Sequence, residues 1–111
     1  MDLTWNDFER VEMRVGTITA VSDFPEARKP AYQLTIDFGP AIGPRKSSAQ
    51  ITAHYGKEDL IGRQIVAVVN FPKKQVGPFM SECLVLGAVE TDGAVVLLHP
   101  GQPVENGLRI A

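Results

Sequence analysis

From Met13 onward the chain consists of short runs of strand-forming residues separated by glycine and proline, and this pattern limits the fold more than any other feature. In the clearest run, AYQLTIDFG, apolar and polar residues alternate, so that one face of a strand would carry Tyr32, Leu34, Ile36 and Phe38. The run RVGTITAVSDF is rich in Val, Ile and Thr, and Gly16 within it predicts a strong bend or a bulge. QIVAVVNF and ECLVLGAV are almost continuously apolar, whereas KSSAQIT is a more polar strand candidate.

The remaining runs complete an all-β pattern. ETDGAVVLL contains Asp92-Gly93, a strong hairpin signal, and LRIA predicts a last short strand. KEDLIGR predicts one helical turn that ends at Gly62. About six short strands, one of them long and bent, together with two helices of one or two turns predict a small antiparallel barrel. The pattern alone does not distinguish an OB-type barrel from an SH3-like one.

A short helix is predicted at Trp5–Arg10, with Thr4 as its N-cap and Asp7 completing a shortened capping box. A helix of about two turns is not stable alone. Trp5 and Phe8 share one of its faces and therefore need another surface to cover them. In so small a protein, that surface could belong to a second subunit.

Size and charge set further bounds. A chain of 111 residues forms one domain, because two separate cores would each be too small to be stable. The formal net charge of −2 argues against a protein that coats nucleic acid indiscriminately. Six of the eleven basic residues nevertheless form three doublets beside Pro or Gly, which folding could bring to one side: Arg28-Lys29, Arg45-Lys46 and Lys73-Lys74.

The sequence offers no set of residues for catalysis, metal binding or a cofactor. His54 and His99 lie far apart without further ligands at metal-site spacing, and no serine lies in a nucleophile motif. The single cysteine, Cys83, is predicted to be a small buried residue. The apolar runs are too short to cross a bilayer, and the acidic N-terminus does not resemble a secretory signal, which predicts a cytoplasmic protein without an integral membrane segment.

The segment NFPKKQVGPFMSE places two lysines in a loop broken by Pro and Gly. Phe79 and Met80 follow the Gly77-Pro78 turn. They would form an apolar gripping edge if exposed and part of the core if they point inward, and the sequence leaves both options open.

Several motifs resemble, in order and spacing, those of the tRNA-binding-domain family. Arg14-Val15-Gly16 matches the family's RVG, Asp37-Phe38-Gly39 its D-x-G, Asn70 the Asn that closes a strand, and Ser81-Glu82 its SE. The chain departs from the family where Phe24-Pro25-Glu26-Ala27-Arg28 replaces HP-E-A-D, where Ser48-Ala49 replaces SG, and where Cys83-Leu84 replaces the Gly-Met after SE. The similarity covers about residues 12–89. Towards both ends it extends to the free-standing, export-related chaperones of the same fold.

The resemblance implies a five-stranded OB-type barrel with short helices. Residues 1–111 would form one domain with its core at about 12–89, and the extensions 1–11 and 90–111 would form a homodimer interface. The residues expected in that interface are Trp5, Phe8, Val104, Leu108 and Ile110. The resemblance also implies no catalysis and no cofactor. The partners it implies are unfolded or export-bound precursor polypeptides, and it leaves open a contact with the secretion machinery.

Three functions are compatible with the sequence. A chaperone would hold peptide segments and assist secretion, and a structured-RNA binder, tRNA above all, would use the same basic residues on phosphates. A dimeric scaffold without a client is the third. The residues predicted to bind peptide or tRNA are Arg45, Lys46, Ser48, Asn70, Lys73, Lys74, Phe79, Met80, Ser81 and Glu82.

Overall fold

The computed structural model describes residues 1–111 and consists mainly of strands. The helices are α1 (Trp5–Glu9) and α2 (Lys57–Leu60), each too short to cross a membrane. The strands are β1 (Met13–Asp23), β2 (Tyr32–Asp37), β3 (Pro44–Ala49), β4 (Gln64–Val68), β5 (Lys74–Val76), β6 (Phe79–Ser81), β7 (Leu84–Val85), β8 (Gly87–Val89) and β9 (Val95–Leu97).

Five strands form one antiparallel sheet in the order β3-β2-β1-β4-β7, and the hairpins β5–β6 and β8–β9 are attached to it. The long strand β1 pairs with β4 through its first half and with β2 through its second half, and its register shifts between Ile18 and Ala20. This bent strand allows the sheet to curl until β3 and β7, its two outer strands, approach each other. The predicted OB-type barrel is confirmed.

The alternating apolar residues of β2 fill the interior of the barrel. Leu34, Ile36 and Phe38 are almost fully buried in a cluster of 13 residues. Gly16 is needed here because a Cβ at this position would lie 2.6 Å from a methyl carbon of Ile36 and 2.7 Å from the ring of Phe38. The predicted bulge lies a few residues further along, and Gly16 itself provides the close approach between strands.

Local signals at several turns are confirmed. Thr4 Oγ1 accepts a hydrogen bond from the Asp7 N–H at 3.1 Å, and Asp7 Oδ2 accepts one from the Thr4 N–H at 3.1 Å, forming the predicted capping box. Gly93 adopts a φ of +90° in the turn of the β8–β9 hairpin. Gly62, with a φ of +86°, ends the short turn after α2.

Two segments differ from the sequence-based expectation. The loop after β4 contains the hairpin β5–β6, with Gly77-Pro78 as its turn, and its three-residue strands are too short to show periodicity. The run ECLVLGAV is divided between β7 and β8, and the predicted strand LRIA contributes one isolated bridge, between Arg14 and Arg109.

Hydrogen bonds hold the C-terminal segment on the barrel. The Val15 N–H donates to the Leu108 carbonyl and the Ile110 N–H donates to that of Met13, so this segment continues the sheet beside the first half of β1. Gln64 on β4 binds both the N–H and the carbonyl of Val104 through its side chain. The segment therefore lies in a fixed position.

Candidate functional site

A groove of about 1020 Å³ lies beside the seam at which β3 and β7 approach without pairing. It lies between the end of β3, strand β5 and strand β7. Eight of its 15 lining residues are apolar. The lining consists of Arg28, Ser48, Ala49, Gln50, Ile51, Phe71, Pro72, Lys74, Gln75, Val76, Ser81, Cys83, Leu84, Val85 and Val95.

The groove combines exposed apolar side chains with positive charge. Phe71 is 55% exposed and Leu84 is 48% exposed, although both are large apolar residues. Arg28 and Lys74 also line the groove, and no carboxylate does. Such a surface can take up an apolar group and attract a nearby negative charge, but it offers no negative charge to pair with a cation.

Ser81 and Glu82 close the seam of the barrel through hydrogen bonds to the backbone of β3. The Lys46 N–H donates to Glu82 Oε1 at 2.9 Å, and the Glu82 N–H donates to the Lys46 carbonyl at 2.7 Å. The Ser48 N–H donates to Ser81 Oγ at 3.1 Å. These two side chains therefore replace the backbone acceptors of a neighbouring strand, and we call the pair the seam latch.

The electrostatics of the seam latch favour an ionised carboxylate. The hydrogen bond from the Lys46 backbone holds the pKa of Glu82 below its usual value, and burial opposes this shift only in part. Lys73 Nζ lies 3.5 Å from Glu82 Oε2 and lowers the pKa further. Lys46 Nζ lies 5.5 Å from the centre of the Phe79 ring. Two of the predicted basic residues therefore already have partners within the chain.

Cys83 lies beside the latch and is not arranged as a nucleophile. Its side chain is buried, and burial raises the pKa of the thiol to about 11. The Ser47 hydroxyl donates to the Cys83 carbonyl at 2.9 Å. A protonated thiol at this position acts as a small apolar residue, since the thiolate is the reactive form.

The structure resolves, for Phe79, the alternative between an exposed edge and the core. Phe79 is only 8% exposed and packs with Phe24 and Ala31, its ring centre 5.5 Å from that of Phe24. Met80 is half-buried. Phe79 therefore belongs to a small second core under the β5–β6 hairpin.

Three of the ten predicted binding residues line the groove: Ser48, Lys74 and Ser81. Seven lie elsewhere: Arg45, Lys46, Asn70, Lys73, Phe79, Met80 and Glu82. Asn70 anchors the N-terminal region, because its side chain accepts from the Glu12 N–H at 3.0 Å and donates to the Arg10 carbonyl at 2.7 Å. Arg45 and Lys46 are neighbours on one strand, so their side chains project to opposite faces of β3.

Sequence reasoning missed Phe71 and Leu84. Each carried a usable signal. Phe71 lies shortly after the end of β4 and precedes Pro72, which places it where the chain leaves the core. Leu84 follows the buried Cys83, so the two-residue period of a strand turns its side chain outward.

The predicted interface residues lie on two neighbouring segments. Trp5 is 85% exposed on α1, and Phe8 is half-buried. In the C-terminal segment Leu108 is exposed, and Val104 and Ile110 are half-buried. Arg109 joins the two segments, because its guanidinium donates to the Glu9 carbonyl at 3.0 Å.

Comparison with known families identifies a match along most of the chain. The family model described as “Putative tRNA binding domain” matches residues 13–109. Among curated proteins, the methionine–tRNA ligase of Porphyromonas gingivalis is 30% identical over 98% of this chain. Methionine–tRNA ligase 1 of Sorangium cellulosum is 36% identical over 98% of it. The matched region makes up only 16% and 15% of these two ligases.

Solved structures of similar length resemble the whole chain. The chaperone CsaA of Bacillus anthracis is 52% identical with a TM-score of 0.94, and 100% of each chain is covered. The CsaA chaperone protein of Picrophilus torridus is 55% identical with a TM-score of 0.92, covering 99% of this chain and 100% of the other. A MetRS related protein of Pyrococcus horikoshii is 26% identical, with a TM-score of 0.86 and 100% coverage of both chains.

Proposed function

The chain belongs to the tRNA-binding-domain family, and from this premise we propose that it is a homodimeric chaperone that holds segments of unfolded polypeptide. The observation that carries the proposal is the groove, where exposed apolar side chains and two cations occur together without a carboxylate. The full-length likeness to CsaA chaperones supports the same function. The domain is of a tRNA-binding or chaperone type and not a catalytic one.

The lining of the groove suits polypeptide better than RNA. Single-stranded RNA binds mainly to aromatic platforms and to cations along its phosphates. Phe71 is the one aromatic residue in the groove, and the rest of its apolar lining is aliphatic except for Cys83. Unfolded polypeptide offers the aliphatic and aromatic side chains that bind such a surface through the hydrophobic effect.

Charge would bias the choice of client. Arg28 and Lys74 attract segments that carry Asp or Glu beside apolar residues, and a segment with Lys or Arg would find no carboxylate in the groove. Arg45, which lies outside the groove, would add to this field, whereas the charge of Lys73 is offset by Glu82. We extend the proposal to a cytoplasmic site of action on export-bound precursors, with the secretion machinery as a further partner.

The test is suppression of aggregation of a denatured client at increasing concentrations of the protein. We expect the double variant Phe71→Ala, Leu84→Ala to lose most of the suppression. Ile61→Ala is a matched control, because Ile61 is 56% exposed and lies outside the groove. Equal suppression by the double variant and the control would contradict the proposal.

The dimer is proposed to form through the extensions 1–11 and 90–111. The exposed Trp5 and Leu108 and the half-buried Phe8, Val104 and Ile110 would bury their apolar surface against a second copy. Light scattering with size-exclusion chromatography tests this: Trp5→Ser should shift the protein towards the monomer, whereas Ile61→Ser should not. A monomeric wild-type protein at micromolar concentration would contradict the dimer.

Binding of tRNA is the second candidate function, and the three basic doublets and the family itself favour it. If about six phosphates were neutralised, affinity would fall by two to three orders of magnitude between about 50 and 200 mM salt. Peptide binding in an apolar groove should change much less. A filter-binding titration of tRNA across this range of salt concentration distinguishes the two functions. Absence of tRNA retention at low salt would eliminate the RNA function.

A further inference from the structure

One wall of the groove is the backbone edge of strand β5. Lys74, Gln75 and Val76, three consecutive residues of β5, all line it. Successive side chains of a strand point to opposite faces of the sheet, so a surface that faced only one side would contact every second residue. Contact with three residues in a row therefore means that the groove runs along the backbone edge of β5.

This edge of β5 has no strand beside it. β5 pairs only with β6, and the pair Val76–Phe79 flanks the two-residue turn Gly77-Pro78. In a two-residue hairpin the pair next to the turn exchanges hydrogen bonds and the following pair does not. Gln75 and Met80 form such a non-hydrogen-bonded pair. The backbone N–H and carbonyl of Gln75 therefore point away from β6, towards the open edge.

The wall formed by the end of β3 also has free backbone groups. Gln50 and Ile51 follow β3, and neither takes part in a backbone–backbone hydrogen bond within the chain. The Ile51 side chain is buried in the floor, while Gln50 is exposed. Unpaired backbone groups of this kind are templates for another extended chain.

We propose that the groove takes up its client as an added β-strand, hydrogen-bonded to the backbone N–H and carbonyl of Gln75. This inference rests on the proposed function and specifies its mode of binding. The occupant is an extended polypeptide segment whose alternate side chains are apolar and contact Phe71 and Leu84, with a carboxylate near Arg28 or Lys74. The phosphates of a nucleic-acid backbone do not fit this role, because they accept hydrogen bonds and have no N–H to donate to the Gln75 carbonyl.

Binding through the backbone explains how one groove could serve many clients. Backbone hydrogen bonds are independent of side-chain identity, and the alternate apolar side chains add only a general preference. A native protein has already paired the backbone of its strands, whereas an unfolded chain has not. The same contact therefore distinguishes unfolded clients from folded ones.

The experiment is an N-methylation scan of a short synthetic peptide in which Val or Leu alternates with Ser and Glu stands at each end. Fluorescence anisotropy measures its affinity for the wild-type protein. Methylation of the amides that face β5 should weaken binding by about tenfold or more, whereas methylation of the alternate amides should change it little. Methylated peptides that all bind as tightly as the unmethylated peptide would overturn strand addition.

The outcomes separate this inference from the proposed function. If the unmethylated peptide binds and its methylated forms bind equally well, strand addition fails and the chaperone function remains. If the peptide does not bind and a denatured client aggregates unchanged, both fail. In the protein, Gln75→Pro removes the edge N–H at a strand position that tolerates proline, and it should weaken binding about tenfold more than Gln75→Ala does.

Discussion

Replacing Glu82 by alanine should destabilise the barrel, because this carboxylate closes its seam. The substitution removes the acceptor of the Lys46 N–H at 2.9 Å and the ionic contact with Lys73 at 3.5 Å. The backbone bond from the Glu82 N–H to the Lys46 carbonyl is retained. Only the side-chain half of the connection between β3 and the latch is therefore lost.

The magnitude follows from the kind of bond and its burial. A hydrogen bond to a charged group contributes about 1.5–3 kcal/mol, and the Lys73 contact adds little because the lysine is exposed. The Glu82 side chain is only 19% exposed but Lys46 is exposed, so water replaces the lost acceptor in part. We expect Glu82→Ala to lower the free energy of unfolding by about 2 kcal/mol, which corresponds to a fall in Tm of roughly 8 °C for a chain of this size.

Glu82→Gln is the matched control, because its amide oxygen can still accept from Lys46 without the charge. This substitution should lower the free energy of unfolding by about 1 kcal/mol. The pKa of Glu82 is lowered in the folded state, so its ionic contribution is present above the unfolded pKa of about 4.3 and is lost as the pH falls through the folded value. The stability difference between wild type and Glu82→Gln should therefore shrink on acidification below about pH 4.

Urea unfolding followed by circular dichroism at neutral and acid pH measures these differences. The seam-latch account is refuted if Glu82→Ala unfolds within about 0.5 kcal/mol of the wild type at pH 7, the range expected for an ordinary surface substitution. A difference between wild type and Glu82→Gln that does not change with pH would separately refute the role of the charge.

Three further predictions concern the framework. Gly16→Ala should cost about 1–3 kcal/mol in urea unfolding, because its Cβ would overlap Ile36 and Phe38; a neutral effect would contradict the close packing. Asn70→Ala should lower the free energy of unfolding by about 1–2 kcal/mol, because two hydrogen bonds are lost. Amide exchange in α1 should become faster, since Asn70 anchors the segment that follows this helix, and unchanged exchange would argue against that role. The Cys83 thiol, with a pKa raised to about 11, should react slowly with a disulfide reagent in the native protein and rapidly in urea; fast native reaction would contradict its burial.

The sequence predicted those parts of the fold that depend on local signals. The alternation in β2 indicated the residues of the barrel interior, and Thr4 with Asp7 indicated the start of α1. Asp92-Gly93 indicated the β8–β9 hairpin. Each of these signals involves residues that are neighbours along the chain, so no knowledge of the tertiary structure is needed to recognise it.

The site depends on distant contacts and was predicted only in part. Glu82 contacts Lys46 across 36 positions of the sequence, so its part in closing the seam requires knowledge of how far the sheet curls. The hairpin β5–β6 escaped prediction because three-residue strands show no periodicity. Lys73 and Lys74 indicated a basic surface in the sequence. In the structure Lys73 contacts Glu82 and Lys74 lines the groove, and this difference follows only from the pairing of β5 with β6.

The most direct test of the central claim is photocrosslinking from the groove to an unfolded client. A benzophenone amino acid would replace Phe71 in one variant and Ile61 in another, two positions with exposures of 55% and 56%. The proposed function predicts strong crosslinks to a denatured client from position 71, weak ones from position 61, and little loss at raised salt. Equal crosslinking from both positions, or crosslinks from position 71 to tRNA but not to polypeptide, would contradict it.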